Sequence, residues 1–191
     1  RGLGDVYKRQ DLKLIIQECW KQSIDWDDKL PTDLLNRVLK FSNDMKNIGN
    51  LELPRCHSSK KFDKTSVTLH VFCDASTLGY GVVAYFRLVN DKNEIEVSFI
   101  FGKSRPAPVK SISIPRLELQ AAVLGSKVAN MIVNNYTYEI QGVSLWTDST
   151  TVLHYLSNTD KKFSAYVMNR IFNIIEDWPA KHWKHVPTEI N

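Results

Sequence analysis

The stretch Val67 to Ser76, VTLHVFCDAS, constrains the chain more than any other. It is short, rich in β-branched and aromatic residues, and ends near an acid. Val67, Leu69, Val71 and Cys73 fill one face of the strand it predicts, and Thr68, His70, Phe72 and Asp74 fill the other. Apolar residues on both faces mark a central, covered strand rather than an edge. An aspartate at the tip of such a strand is costly without a partner. Alone, it reads as a turn-forming cap. Its meaning depends on whether other carboxylates are placed to meet it.

After a turn at residues 75–79, Val82, Ala84, Phe86 and Leu88 alternate with Val83, Tyr85 and Arg87. Asn90 to Asn93 supply a hairpin turn. Ile95, Val97, Phe99 and Phe101 then alternate with Glu96, Ser98 and Ile100. Strands joined this closely are antiparallel neighbours. Residues 102–113, GKSRPAPVKSIS, predict a loop with Lys103, Arg105 and Lys110 and no acid. It is either a solvated connection or a phosphate-contacting loop.

A long helix is predicted from about Ile114 to Asn134, with Pro115 tolerated in its first turn. One face carries Leu117, Leu124, Val128 and Met131. The neighbouring face is mostly small, with Ala121, Ala122, Gly125 and Ala129, and suits close approach to a sheet. Glu118 is the only charge on it. Residues 138–147 predict a fourth strand ending in LWTD, and 149–156 a short helix capped by Asp148, Thr147 or Ser149. Phe163, Tyr166, Val167, Arg170, Ile171, Ile174, Ile175 and Trp178 repeat at helical spacing. KHWKHV at 181–186 predicts a fifth strand.

Residues 11–60 read as a separate helical segment. Leu12, Ile15, Ile16, Cys19 and Trp20 form one stripe, and Leu34, Leu35, Val38, Leu39 and Phe41 a second, starting at Pro31 or Thr32. The polar, basic stretch CHSSKKFDKT at 56–65 is the expected linker, so the segments are 11–60 and 61–191. Residues 1–10, RGLGDVYKRQ, look like translated adapter sequence and are expected to be non-native or disordered. Cys19, Cys56 and Cys73 are too few and too scattered for a disulfide framework or zinc site. They fit reduced thiols and an intracellular, cytoplasmic setting. No apolar run approaches the roughly 20 residues of a membrane span, and no membrane association is expected. The net charge of +4 names no partner.

The predicted order is β-β-β-α-β-α-α-β. It puts acids at the tip of strand one, in the first long helix and at the tip of strand four. A crossover through helix 114–134 allows strand four to lie parallel to strand one. If the two are neighbours, Asp74 and Asp148 share a rim that Glu118 can reach.

At these residues the chain resembles a known family. FCDASTLGYGVVAY, IPRLELQAAVLGSKVA, LWTDSTTVLHYL and KHVPTEIN look like the ribonuclease H domain of BEL/Pao-type retrotransposon Pol polyproteins. The resemblance runs from about Val67 to Asn191. Residues 11–60, with IIQECWKQSIDWDDKLP and LELPRC, resemble the segment joining reverse transcriptase to ribonuclease H in such elements.

The resemblance implies an α/β, ribonuclease H-like fold. Its five-stranded mixed sheet has three antiparallel strands then two parallel ones, flanked by helices, with a small helical N-terminal extension. It also implies an endonuclease that cuts the RNA strand of RNA–DNA hybrids during reverse transcription. Two Mg²⁺ (or Mn²⁺) ions are then expected, with Asp74, Glu118 and Asp148 as catalytic, metal-holding acids. The family's fourth acid follows the HVP stretch, past Asn191. The chain is therefore expected to be a fragment of a larger polyprotein, cut before its last helix, with the reverse transcriptase portion as partner. The residue types suit this chemistry. Converging carboxylates raise one another's pKa, and a hard dication that prefers oxygen ligands relieves the repulsion.

Ser76, Ser149 and Thr150 are nearby hydroxyls that fit either nucleic-acid contacts or turns and caps. Lys103, Arg105, Lys110 and Arg116 are candidate phosphate contacts. Other acid-bearing folds fit less well. Retroviral-type integrases order their acids Asp, Asp, Glu, whereas Glu118 lies between the two Asp here. Proofreading exonucleases carry Glu two residues after the first Asp, where this chain has Ser76. Aspartic peptidases need Asp-Thr-Gly or Asp-Ser-Gly, because Gly permits the turn beneath the acids. Asp74-Ala75-Ser76 and Asp148-Ser149-Thr150 both lack that Gly. An inactive copy that grips hybrid without cutting it remains an alternative.

Overall fold

The computed structural model describes residues 2–46, 66–137, 139–158, 162–188 and 191. β1 (Ser66–Ala75), β2 (Gly79–Val89) and β3 (Ile95–Pro106) form an antiparallel meander. β4 (Gly142–Thr147) and β5 (Trp183–His185) add on the other side of β1, both parallel to it. The sheet order is β3-β2-β1-β4-β5, with β1 in the middle as its two apolar faces require. Cys73 pairs with Thr147 at the upper end of the β1–β4 ladder. The C-terminal ends of these two strands therefore lie side by side.

Among the described residues five α-helices accompany the sheet: α1 (Gly2–Lys21), α2 (Thr32–Lys46), α3 (Ile114–Asn135), α4 (Thr150–Ser157) and α5 (Ala165–Ile175). Leu69, Val71, Cys73, Val82, Ala84, Phe86 and Leu145 are buried in one core with Leu119, Ala122, Leu124 and Ala129 of α3. The small residues of α3 have a direct purpose. A Cβ at Gly125 would collide with Cys73 Sγ, so the helix backbone lies almost against β1. Met131, on the same predicted face as Leu117, Leu124 and Val128, is 40% exposed, whereas those three are buried.

The opposite face of β1 carries a layer of rings. Phe72 and His70 both stack on Trp146, and Phe72 meets Tyr85 edge-on, which in turn meets Phe99. Trp146 donates from Nε1 to His70 Nδ1 at 3.1 Å. Thr68 Oγ1 donates to the Arg87 carbonyl and so accepts from His70 Nε2, 3.2 Å away. Burial, then the charges of Lys184 and Arg87, hold His70 below its ordinary value, so the ring stays neutral.

Several expectations require correction. β3 does not stop at Phe101; it continues to Pro106, because its ladder with β2 extends to the Gly79–Pro106 pair. Lys103 and Arg105 are thus strand residues, and only Lys110 lies in the connection. The alternation along β3 also breaks. Tyr85 pairs with Phe99 while Ala84 pairs with Phe101, a bulge that leaves Ile100 extra. β4 begins at Gly142 rather than 138: its pairing with β1 stops at Thr68, although β1 runs on to Ser66, and Gln141 N–H closes onto Val67 C=O.

α1 is not separate from the sheet, and α2 packs on α1. Lys13 Nζ donates to Ser104 C=O and Gln17 Nε2 to Ala107 C=O, docking α1 on β3. α1 also starts at Gly2, so helical backbone runs through residues expected to be disordered. Asp5 to Gln10 contain no helix breaker, and the helix propagates into them from the docked turns. The expected linker at 56–65, its boundary at 60, LELPRC and Cys56 lie outside the described residues.

Candidate active site at the rim of the sheet

Asp74 is the next-to-last residue of β1, opposite Gly81. Its Oδ1 accepts from Ala75 N–H at 2.6 Å. Asp148 follows the last residue of β4. Because Cys73 and Thr147 are register partners, each aspartate comes one residue after a paired position at the same end of neighbouring parallel strands. Both are partly buried.

Ser149 ties the third acid to this rim. It is buried, and its Oγ accepts from Val152 N–H at 3.1 Å, capping α4. The same hydroxyl donates to Glu118 Oε2 at 2.6 Å. Its own N–H donates to Thr147 Oγ1. Glu118 is therefore held at the residue directly after Asp148. Of the three possible caps at this helix, Ser149 is the one used, because its hydroxyl alone faces both the free N–H and the carboxylate.

The tail closes over the same end of the sheet. Val186 N–H donates to Thr147 C=O, and Thr188 Oγ1 donates to Asp148 Oδ2 at 3.0 Å. Asn191 Nδ2 donates to Cys73 C=O at 3.3 Å, one peptide from Asp74. Its Oδ1 is buried without a partner. Thr188 and Asn191 are site residues that sequence reasoning missed. The available signal was a hydroxyl directly after HVP and an amide three residues further on.

The donors suit a hard divalent cation in kind: three carboxylates and an orphaned carboxamide oxygen at one rim. In arrangement the fit is partial. Among the described residues no three His, Cys, Asp or Glu side chains gather into a ready metal cage. Glu118 and Asp148 are turned onto Ser149 and Thr188.

The remaining candidates divide. Ser149 is buried and used by the cap and by Glu118, so the nucleic-acid contact expected of it becomes a positioning role. Ser76 builds the turn: its N–H donates to Gly79 C=O and its Oγ accepts from Leu78 N–H. Thr150 is exposed at the start of α4. Lys103, Arg105, Lys110 and Arg116 are all exposed, and Arg116 lies over the Tyr166 ring. Cys73, expected buried and reduced, is free and fully enclosed; burial, reinforced by the Asp74 charge, pushes its thiol far up.

A mixed five-stranded sheet with this order, and acids at the tips of β1 and β4, is a ribonuclease H-like fold. The family model for the Pao retrotransposon-like RNaseH-like domain matches residues 9–149, and the chain belongs to that family. No curated protein matches it. Among solved structures it is similar to RNase H1 of Halobacterium salinarum, at 12% identity over 65% of this chain and 88% of the other, with a TM-score of 0.41. LC11-RNase H1 in complex with RNA/DNA hybrid is similar at 11% identity over 66% and 88%, with a TM-score of 0.42. The foamy viral protease-reverse transcriptase in complex with dsDNA is similar at 14% identity over 91% of this chain but 33% of the other, with a TM-score of 0.43. Among the described residues no helix is long and apolar enough to cross a membrane.

Proposed function

We propose that this domain is a ribonuclease H-type endonuclease of a Pao-type Pol polyprotein, cutting the RNA strand of RNA–DNA hybrids beside its reverse transcriptase portion. The observation that carries the reading is the Ser149–Glu118 hydrogen bond, which brings the helix-borne acid to the rim where Asp74 and Asp148 emerge. Asp74, Glu118 and Asp148 would hold the cations. Bound divalent ions supply a hydroxide nucleophile and stabilise the leaving oxygen in such sites. The chain's own part is positioning. Ser149 orients Glu118, Thr188 orients Asp148, and the paired tips of β1 and β4 fix the spacing of the two aspartates. The RNA 2′-hydroxyl is the chemical difference that permits choice between strands.

Millimolar Mg²⁺ or Mn²⁺ is expected to raise the melting temperature by ligand linkage, and Asp74→Asn to abolish the shift. Cleavage is to be assayed on a version carried past Asn191, with RNA–DNA hybrid and duplex DNA as substrates. Cutting of RNA in the hybrid alone is the expected result. A second reading, a nucleic-acid tether that does not cut, draws on the carboxylates being bonded to Ser149 and Thr188 rather than gathered. Hybrid binding with neither a metal-dependent shift nor cleavage would establish it.

A further inference from the structure

We infer that Arg116 and Arg170, stacked over the single ring of Tyr166, form a phosphate clamp for the backbone of a nucleic acid lying across the rim. This rests on the nucleic-acid reading above, but not on catalysis. Arg116 is in the first turn of α3, and Tyr166 and Arg170 are in α5. The Arg170 guanidinium lies 3.4 Å from the ring centroid and that of Arg116 4.9 Å from it. Arg170 is held from three directions. Its Nη1 donates to Tyr166 C=O at 3.0 Å. Its Nη2 and Nε donate to the Gln120 carbonyl oxygen at 2.9 and 3.1 Å, with the amide oriented so that this oxygen also accepts from Tyr166 OH.

Each guanidinium is attracted to the ring, and an anion between them would offset the repulsion of the two like charges. Among the described residues no carboxylate forms an ion pair with either guanidinium. Tyr166 and Gln120 fix the plane of Arg170 and take three of its five N–H donors, which leaves one N–H on each Nη to reach a phosphate. Arg116 is exposed and can close on the same group.

Placement selects a nucleic acid backbone over a small anion. β1 ends at the rim, and β3, antiparallel to β2, ends at the same side beside Gly79. The connection at 107–113 therefore delivers α3 to the rim, with Arg116 two residues before Glu118. A strand whose scissile phosphate sits at the acids would run its neighbouring phosphates past the start of α3. The sequence alone marks Arg116 and sets Tyr166 and Arg170 in one helical repeat; only the packing of α5 on α3 brings the three together.

The test is fluorescence anisotropy with a labelled RNA–DNA hybrid of about 20 base pairs, in EDTA so that no metal contributes, across about 50–200 mM KCl. Removing one phosphate-binding side chain lowers the slope of log K against log salt by about one. Arg116→Gln is expected to lower it by about one and the Arg116→Gln/Arg170→Gln pair by about two. Lys127→Gln, an equal charge change at an exposed position further along α3, should leave it unchanged. Arg116 is exposed, so its variant is expected to fold; melting curves check the double variant, and Arg170→Lys keeps the charge if that variant is loosened. Equal slopes for Arg116→Gln and Lys127→Gln, with wild-type binding intact, would overturn the clamp while leaving the nuclease reading standing. Loss of the metal-dependent shift with the slope changes intact would do the reverse. A poly-glutamate tracer released by Arg116→Gln, with hybrid binding unmoved, would assign the pair to an acidic protein partner instead and also overturn it.

Discussion

Ser149 does three things with one hydroxyl and one amide, and its removal should show in two measurements. Ser149→Ala takes away the cap of α4, which costs about 1 kcal/mol at a typical N-terminus. It also leaves the Glu118 carboxylate without its 2.6 Å donor. The urea midpoint is expected to fall by the equivalent of about 1–2 kcal/mol, and the Mg²⁺-dependent melting shift to shrink. A midpoint change with an undiminished metal shift would make Ser149 a cap alone. His70 carries a second prediction at this scale. Its pKa is lowered from the ordinary 6.5 by burial and by Lys184 and Arg87, so the unfolded chain binds that proton more readily than the native one. Stability therefore rises with pH across this window. It should fall as pH drops below about 6.5 and level off once pH is below the folded value. Protonation also places a hydrogen on Nδ1, where Trp146 Nε1–H already points. Urea midpoints between about pH 7.5 and pH 5 should depend less on pH in His70→Gln than in the wild type. Equal slopes would mean the ring layer titrates elsewhere.

Among the elements, α3 and β1 make the closest approach, and their small residues decide it. A methyl group added at Gly125 would meet Cys73 Sγ well inside van der Waals distance, in a core with no room to yield. Gly125→Ala is expected to destabilise by about 1–3 kcal/mol, the usual range for overpacking. Cys73→Ala removes the obstructing sulfur, so the double variant should be more stable than Gly125→Ala alone. Additive losses in the cycle would place the strain elsewhere. This packing was legible from sequence, because a row of Ala and Gly on one helical face has few other uses. So was the place of each aspartate at a strand tip. The pairing of β1 with β4 that sets them side by side was only a condition of that reading, because strands so far apart in sequence leave no local trace of it. The full length of β3 was not legible. Gly102, Lys103 and Pro106 read as loop residues, and only the partner strand, starting at Gly79, shows that the ladder continues through them. The hydroxyl shared by Glu118 and Val152 N–H was illegible for a related reason. A serine before a helix announces a cap, but nothing in the sequence says which carboxylate 31 positions away will join it.

The molecule as a whole differs from its sequence reading most at α1, whose hydrogen bonds to β3 and to the residue after it span 91 and 90 positions and so leave no local trace. A segment with its own apolar stripes looks self-sufficient on paper. In the structure Ile15 is 3% exposed and Leu34 fully buried, while Lys13 and Gln17 bond the backbone at the end of β3. Two helices of 20 and 15 residues have little core of their own, so the docked surface is what keeps them folded. The reverse dependence also holds, because α1 covers part of a long strand at the edge of the sheet, where open backbone groups invite association. Ile15→Ala should therefore destabilise the entire fold, by about 2–4 kcal/mol for an isoleucine truncated in a well-packed site. The measurement is paired: circular dichroism for the helices and hydrogen exchange at β1 and β2 amides for the sheet. Docking as part of one cooperative unit requires both to weaken together. If the helical signal moves to a lower midpoint while protection in β1 and β2 is unchanged, α1 and α2 form an independent unit resting on the nuclease-like domain, and only that extension is affected.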